Sequence, residues 1–112
     1  MFDSTITSLL THYKHNPYVC IGKDFSVFKK ALECVNANRR ITKCIGIFSQ
    51  KEIVEFIESS NNKATMLTTL THLNAKKVTL EFFLRDCDCF LPPTLLPLQA
   101  YCQFFCFKPT KN

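Results

Sequence analysis

Three groups of residues have the types and spacing to do chemistry. The first is basic: Lys23, Lys29 and Lys30 follow Gly22, at a point where an apolar run gives way to helical spacing. Free amides from Gly22 to Asp24, at a helix start ringed by ammonium groups, would suit a phosphate. Asp24 and Ser26 lie among these lysines and read as capping residues, because a carboxylate turned toward a phosphate would oppose binding. The second group is apolar. Leu95, Leu96, Pro97 and Leu98, within the run FLPPTLLPL, could cover unstacked bases, as bulged or single-stranded RNA requires. If nothing binds, the same lysines are a solvated face and the same leucines are core.

The third group holds the metal and nucleophile candidates, and it does not converge. Cys87-Asp88-Cys89 with Cys102 and Cys106 is a poor match to the paired short spacings of a structural zinc site. His12, His15 and His72 are scattered, and no cysteine or serine sits in a nucleophile motif with a partner. Glu52, Glu55 and Glu58 recur every third residue of a helix, which marks an exposed face rather than an acid-base pair. The expectation is a protein with no metal, no cofactor, no small-molecule substrate and no enzymatic activity.

The elements that must position these residues are legible in the pattern. Phe2 to Lys14 has Ile6, Leu9, Leu10 and Tyr13 on one helical face, and Pro17 ends that helix. Tyr18 to Ile21 is a short strand closed by Gly22, and Phe25, Phe28, Leu32 and Val35 then mark the buried stripe of a second helix. Arg39 and Arg40 suit the negative end of that helix. Ile41 to Phe48 is the next strand. Ser49-Gln50-Lys51-Glu52 matches a capping box opening a third helix, and residues 64–73 fit helical spacing through Met66, Leu67, Leu70 and Leu73. Asn74 to Lys77 is a polar turn before a strand over 78–84 with Val78, Leu80, Phe82 and Leu84 on one face. Phe90 to Leu98 is an apolar loop or broken helix, Tyr101 to Phe107 a closing strand aromatic on both faces and well buried, and Lys108 to Asn112 a basic tail. Strands joined through helices imply an α/β class, a three-layer α/β/α sandwich around a roughly four-stranded mixed sheet.

Length and composition narrow the function classes. A chain of 112 residues, 46% apolar with mean hydropathy +0.01, is one globular domain spanning residues 1–112. No apolar run approaches the roughly 20 residues that cross a bilayer, and Asp3 near the start does not fit a secretory leader. The seven cysteines, an odd number lying in or beside strands, read as buried thiols in a reducing, cytoplasmic compartment. The net charge is +5, and its placement says more than its size: Lys14, Lys23, Lys29, Lys30, Arg39, Arg40 and Lys43 crowd the first strand-helix-strand unit against Asp3, Asp24 and Glu33. Positive charge so placed is where a polyanion would dock.

Tyr18-Val19-Cys20-Ile21-Gly22 leading into a helix with Lys29, Lys30, Ala31 and Leu32, and Tyr101-Cys102-Gln103-Phe104-Phe105 after a leucine-rich loop, resemble the kink-turn RNA-binding superfamily of ribosomal and ribonucleoprotein subunits. The resemblance implies that Gly22, Lys23, Asp24, Ser26 and Lys29 meet RNA, and that Leu95, Leu96, Pro97 and Leu98 pack on exposed bases. It implies a structural partner of folded, kink-turn-like ribosomal RNA and of neighbouring subunits. Asp24-Phe25 stands where many members have Asn-Glu. Val19-Cys20-Ile21-Gly22-Lys23 also resembles the first strand and turn of Alba-type nucleic-acid-binding proteins, which again implies RNA, including an RNase P-type subunit. An alternative without nucleic acid is a protein-interaction module using the apolar run FLPPTLLPL.

Overall fold

The computed structural model describes residues 2–59, 61–85 and 91–107. Their order is α1 (Phe2–Tyr13), β1 (Val19–Gly22), α2 (Ser26–Asn36), β2 (Lys43–Ser49), α3 (Gln50–Glu58), α4 (Asn62–Ala75), β3 (Thr79–Arg85), a 3-10 helix (Pro93–Ala100) and β4 (Gln103–Phe107). The sheet runs β1-β2-β3-β4, with every neighbouring pair parallel. This is the α/β fold expected, but the sheet is wholly parallel among the described strands rather than mixed. The reason is that each link between strands carries a helix, which is what a parallel neighbour needs and a hairpin does not.

Strands that pair in chain order, joined by crossovers of one hand, place those crossovers on one face. Accordingly Val27, Phe28 and Ala31 of α2, Ile53 and Ile57 of α3, Met66, Leu70 and Leu73 of α4, and Leu95 and Leu98 of the 3-10 helix join one core with Cys44, Phe48, Leu80, Phe82 and Leu84. The other face holds Ile45, Ile47 and Phe83, covered by Leu9, Leu10 and Tyr13 of α1. Central strand β2 is buried on both sides, which explains its unbroken apolar run. Lys43 ties α1 to this face, donating to the Tyr13 hydroxyl at 3.3 Å and pairing with Glu81 at 3.3 Å. Strand β4 is less covered than its sequence implies: Phe105 is 38% exposed and stacks on Phe83 at 4.8 Å. The basic tail and Cys87-Asp88-Cys89 lie outside the described residues.

The two glycines of the chain, Gly22 and Gly46, are register partners. A Cβ on Gly22 would meet Val27 Cβ at 2.7 Å, and one on Gly46 would meet the rings of Phe48 and Phe28 at 2.5 and 2.8 Å. Missing side chains therefore let the first turn of α2 sit directly on the sheet. At the next helix, the Ser49 hydroxyl accepts from the Glu52 N–H at 3.1 Å and the Glu52 carboxylate accepts from the Ser49 N–H at 2.9 Å, completing the expected capping box.

Replacing Gly46 by Ala should destabilise the fold by about 1–3 kcal/mol through overpacking, read as a lower denaturant midpoint at unchanged slope. An unchanged midpoint would mean that α2 is not seated on the glycine pair. Ser49→Ala should remove about 1 kcal/mol. Because the Ser49 N–H holds the Glu52 carboxyl below its ordinary range, the box contributes above the unfolded value and is lost as pH falls through the lowered one. The difference between Ser49→Ala and the parent should accordingly shrink in acid.

Candidate nucleic-acid interface

The turn bearing Lys23 lies at the C-terminal edge of the sheet, where Gly22 ends β1. Helix α2 opens only at Ser26, and its leading groups are already engaged. The Asp24 carboxylate accepts from the Ser26 N–H at 2.8 Å and from the Ser26 hydroxyl, the Asp24 carbonyl from Val27 N–H at 3.2 Å, and the Phe25 carbonyl from Phe28 N–H at 3.3 Å. Asp24 thus folds a local Asx turn ahead of the helix instead of leaving its start open. The Ser26 hydroxyl and amide hold its carboxyl below the ordinary range, so it stays charged. A cleft of about 440 Å³ separates this turn from α3, and Lys23 and Asp24 share it with Glu52 and Glu55. An anion approaching here meets three carboxylates. Lys29 sits beyond, on the rim of an apolar depression lined by Phe25, Phe28, Phe56 and Met66, and Lys30 is exposed.

The apolar candidates divide. Leu95 and Leu98 are fully buried, whereas Leu96 is 50% exposed and Pro97 faces solvent. Their 3-10 helix packs on α3, its Thr94 hydroxyl donating to Glu58 at 2.9 Å, while Phe25 ahead of α2 stacks on Phe56, also of α3, so the two elements expected to share a ligand reach α3 through different residues.

The parallel topology brings a different set together, at the N-terminal edge. Helices α2 and α4 end there in the same way. Arg39 N–H donates to the Cys34 carbonyl at 2.8 Å and Asn38 N–H to Val35 at 3.0 Å; Val78 N–H donates to Leu73 at 3.1 Å and Lys77 N–H to Asn74 at 2.9 Å. Asn38 and Lys77 take the left-handed conformation between, with φ of 62° and 64°. Each loop then enters a strand, and β2 and β3 are neighbours with Lys43 beside Thr79. The loops carrying Arg39-Arg40 and Lys76-Lys77 therefore enter neighbouring strands at the same edge, all four residues exposed, with Arg39 reaching back to the Cys34 sulfur at 4.0 Å, Arg40 over the Tyr18 ring, and Lys14 and His15 in the exposed loop before β1. The loops are stitched: Thr42 N–H donates to Tyr18 O at 2.9 Å, Thr79 N–H to Thr42 O at 2.9 Å, and the Asn74 amide to Tyr101 O at 2.6 Å. Among the described residues, the carboxylates on elements reaching this edge are Glu33, in the last turn of α2, and Glu81, which Lys43 holds.

Sequence reasoning assigns Arg39 and Arg40 to a helix dipole and leaves Lys76 and Lys77 in a polar turn. The signal that would have found them is positional. Each pair directly precedes an apolar strand, and parallel strands carry whatever precedes them to the same edge.

Two of the described thiols meet beneath the start of α2. Cys20 and Cys44 are register partners, both directed at the Val27 carbonyl at 3.7 and 3.9 Å. The Cys44 side chain lowers the Cys20 thiol to about 7 against the effect of burial, with Lys30 adding to it, while Cys44 itself is raised. Burial pushes Cys102 up to about 12. Cys20, Cys34, Cys44 and Cys102 are free thiols, as expected, but Cys106 is disulfide-bonded, which departs from a chain of reduced cysteines. Among the described residues, no three of His, Cys, Asp and Glu converge to hold a metal ion, and no helix is long and apolar enough to cross a membrane. Comparison with protein-family models, curated proteins and solved structures returned no match, so the functional reading rests on geometry and charge.

Two outcomes test this geometry. Lys77→Gly should stabilise the fold by roughly 1 kcal/mol, because a side chain with a Cβ is disfavoured by about that much in the left-handed region. A neutral or destabilising result would mean that Lys77 is not held at positive φ. Alkylation followed by peptide mapping should show Cys20 reacting with a midpoint near its lowered value of about 7, and Cys44 and Cys102 protected until the chain unfolds.

Proposed function

We propose that this chain is a non-enzymatic RNA-binding domain that holds the RNA backbone along the N-terminal edge of its sheet. The observation that carries the reading is that Arg39-Arg40 and Lys76-Lys77 lie on loops stitched together at one edge of the sheet, whereas the C-terminal edge mixes its lysines with Asp24, Glu52 and Glu55. Cations at the ends of α2 and α4 also complement the helix dipoles, and that alone would account for one or two of them. It does not account for Lys77 at positive φ, where asparagine, as at Asn38, or glycine would be cheaper. A lysine kept there points to its charge being used outward.

In its finer form the reading is a structural subunit of a cytoplasmic ribonucleoprotein particle, such as the ribosome, recognising folded RNA without chemistry. The resemblance of the first strand, its glycine and the following helix to kink-turn RNA-binding proteins supports this, as does the scatter of His12, His15 and His72 along the sequence. Phosphate contacts made by such an edge would position RNA by its backbone rather than read bases. Gly22, Lys23, Ser26, Lys29 and Lys30 then take a secondary part, at the end of the sheet where carboxylates dilute them.

The test is a titration of RNA at several salt concentrations. Arg39→Ala, Lys76→Ala and Lys77→Gly together should weaken binding at least about tenfold and flatten the slope of log affinity against log salt by about 0.7 for each phosphate no longer neutralised. Lys23→Ala, Lys29→Ala and Lys30→Ala together should keep most of the affinity. The reverse ranking would return the site to the start of α2, and equal affinities for the parent and both triple variants would remove the RNA reading.

A further inference from the structure

Tyr18 stands inside the basic edge and is not explained by phosphate contacts. It is one of three large apolar side chains left exposed among the described residues, at 45%. Its backbone is fixed from both sides. The Tyr18 N–H donates to the Asn16 side-chain carbonyl at 2.9 Å, and the Tyr18 carbonyl accepts from the Thr42 and Lys43 amides at 2.9 and 3.2 Å. The ring is flanked by charge as well: the Arg40 guanidinium lies 5.9 Å from its centroid. A pinned backbone, an exposed ring and a guanidinium in cation–π reach of it, at the same sheet edge as Arg39, Lys76 and Lys77, make a flat face on an edge rich in cations.

We propose that Tyr18 is a stacking platform for an unpaired base, so that the nucleic acid taken by this edge is single-stranded or locally unstacked. This rests on the basic-edge reading and goes beyond it, because a row of cations alone accepts any polyanion. A base in a duplex has both faces covered by its neighbours and cannot reach a ring at a loop tip, whereas an unpaired base offers a free face. Arg40 gives the platform a second property. A guanidinium over the ring draws on its π-electrons and can bond a phosphate with its remaining N–H groups, so one side chain orients the ring and anchors the strand. The bland account, an arginine resting on a surface tyrosine, predicts that removing the ring changes no affinity beyond the loss of one ordered cation.

The experiment compares three probes on the full chain by fluorescence anisotropy: a labelled single-stranded RNA of about 12 nucleotides, the same sequence as a duplex, and competition by inorganic polyphosphate, which has charge without bases. The parent should prefer the single strand. Tyr18→Ala should weaken the single strand by about 5- to 150-fold, leave polyphosphate competition unchanged, and be rescued by Tyr18→Phe. Ultraviolet cross-linking with peptide mapping should place the adduct on Tyr18. If the parent binds all three probes alike and Tyr18→Ala matches it, the stacking platform is overturned while the basic edge stands. If the parent binds none of them, the basic edge falls and the platform with it. Since the Tyr18 ring is exposed and its backbone is held by main-chain bonds, a melting curve on Tyr18→Ala separates lost binding from lost folding.

Discussion

Four strands that run the same way and pair in the order they occur leave the rest of the molecule little freedom. Each link must return over one face, so α2, α3, α4 and the 3-10 helix form a single layer, and the opposite face falls to α1. The same constraint sorts the loops. Among the described residues, segments that enter strands lie at one edge of the sheet and those that leave them at the other, however far apart they are in the chain. Charge carried by the entering loops is summed at one place. That is why Arg39-Arg40 and Lys76-Lys77, separated by a strand and two helices, come to the same edge.

The parallel arrangement depends in turn on how closely the first crossover helix can approach. Gly22 and Gly46 lie side by side in β1 and β2, and the space their missing side chains leave is filled by Val27 and by the Phe28 and Phe48 rings. From there a run of aromatic contacts, Phe28 to Phe82 at 4.8 Å and Phe82 to Phe104 at 4.9 Å, continues across the sheet toward β4. Phe25, stacked on Phe56 at 3.7 Å, joins the helix start to α3. The aromatic contacts therefore cross the sheet at the level of Gly46, Phe82 and Phe104 and reach α3 through Phe25 and Phe56. The N-terminal edge is held instead by main-chain hydrogen bonds between loops, which fix the backbone and leave the side chains of Tyr18, Arg39, Arg40 and Lys76 outside.

This division of labour gives the two edges different chemistry. At the C-terminal edge, charged groups already have partners: Asp24 accepts from Ser26, Glu52 accepts from the Ser49 N–H and pairs with Arg85 at 3.7 Å, and Lys51 pairs with Glu55 at 4.0 Å. At the N-terminal edge, Lys43 is committed to Tyr13 and Glu81, Arg39 rests on the Cys34 sulfur and Arg40 on the Tyr18 ring, neither against a carboxylate, and Lys76 and Lys77 are exposed at the negative end of α4. Self-compensated charge has little left to offer a ligand, whereas same-sign charge on a rigid frame attracts a polyanion at long range and is weakened by salt.

Much of the fold was legible because it is local. The helical spacing of Ile53, Val54 and Ile57, the capping box at Ser49, the proline that ends α1 and the alternation of Leu80, Phe82 and Leu84 each depend on residues within a few positions of one another, and these elements stand where expected. Residues 64–73 form part of α4 despite their threonines, since two of them, Thr68 and Thr71, return their hydroxyls to the Ala64 and Leu67 carbonyls. The direction of strand pairing, the exposure of Phe105 and the company each lysine keeps are not local. The chain alone determined that Lys23, Lys29 and Lys30 sit near a glycine turn; only the tertiary structure decided that Glu52 and Glu55 share that turn's cleft, while Arg39 and Lys76 share an edge almost clear of acid. Residues far apart in sequence add their charges only once the backbone brings them within a Debye length, and no local pattern records that distance.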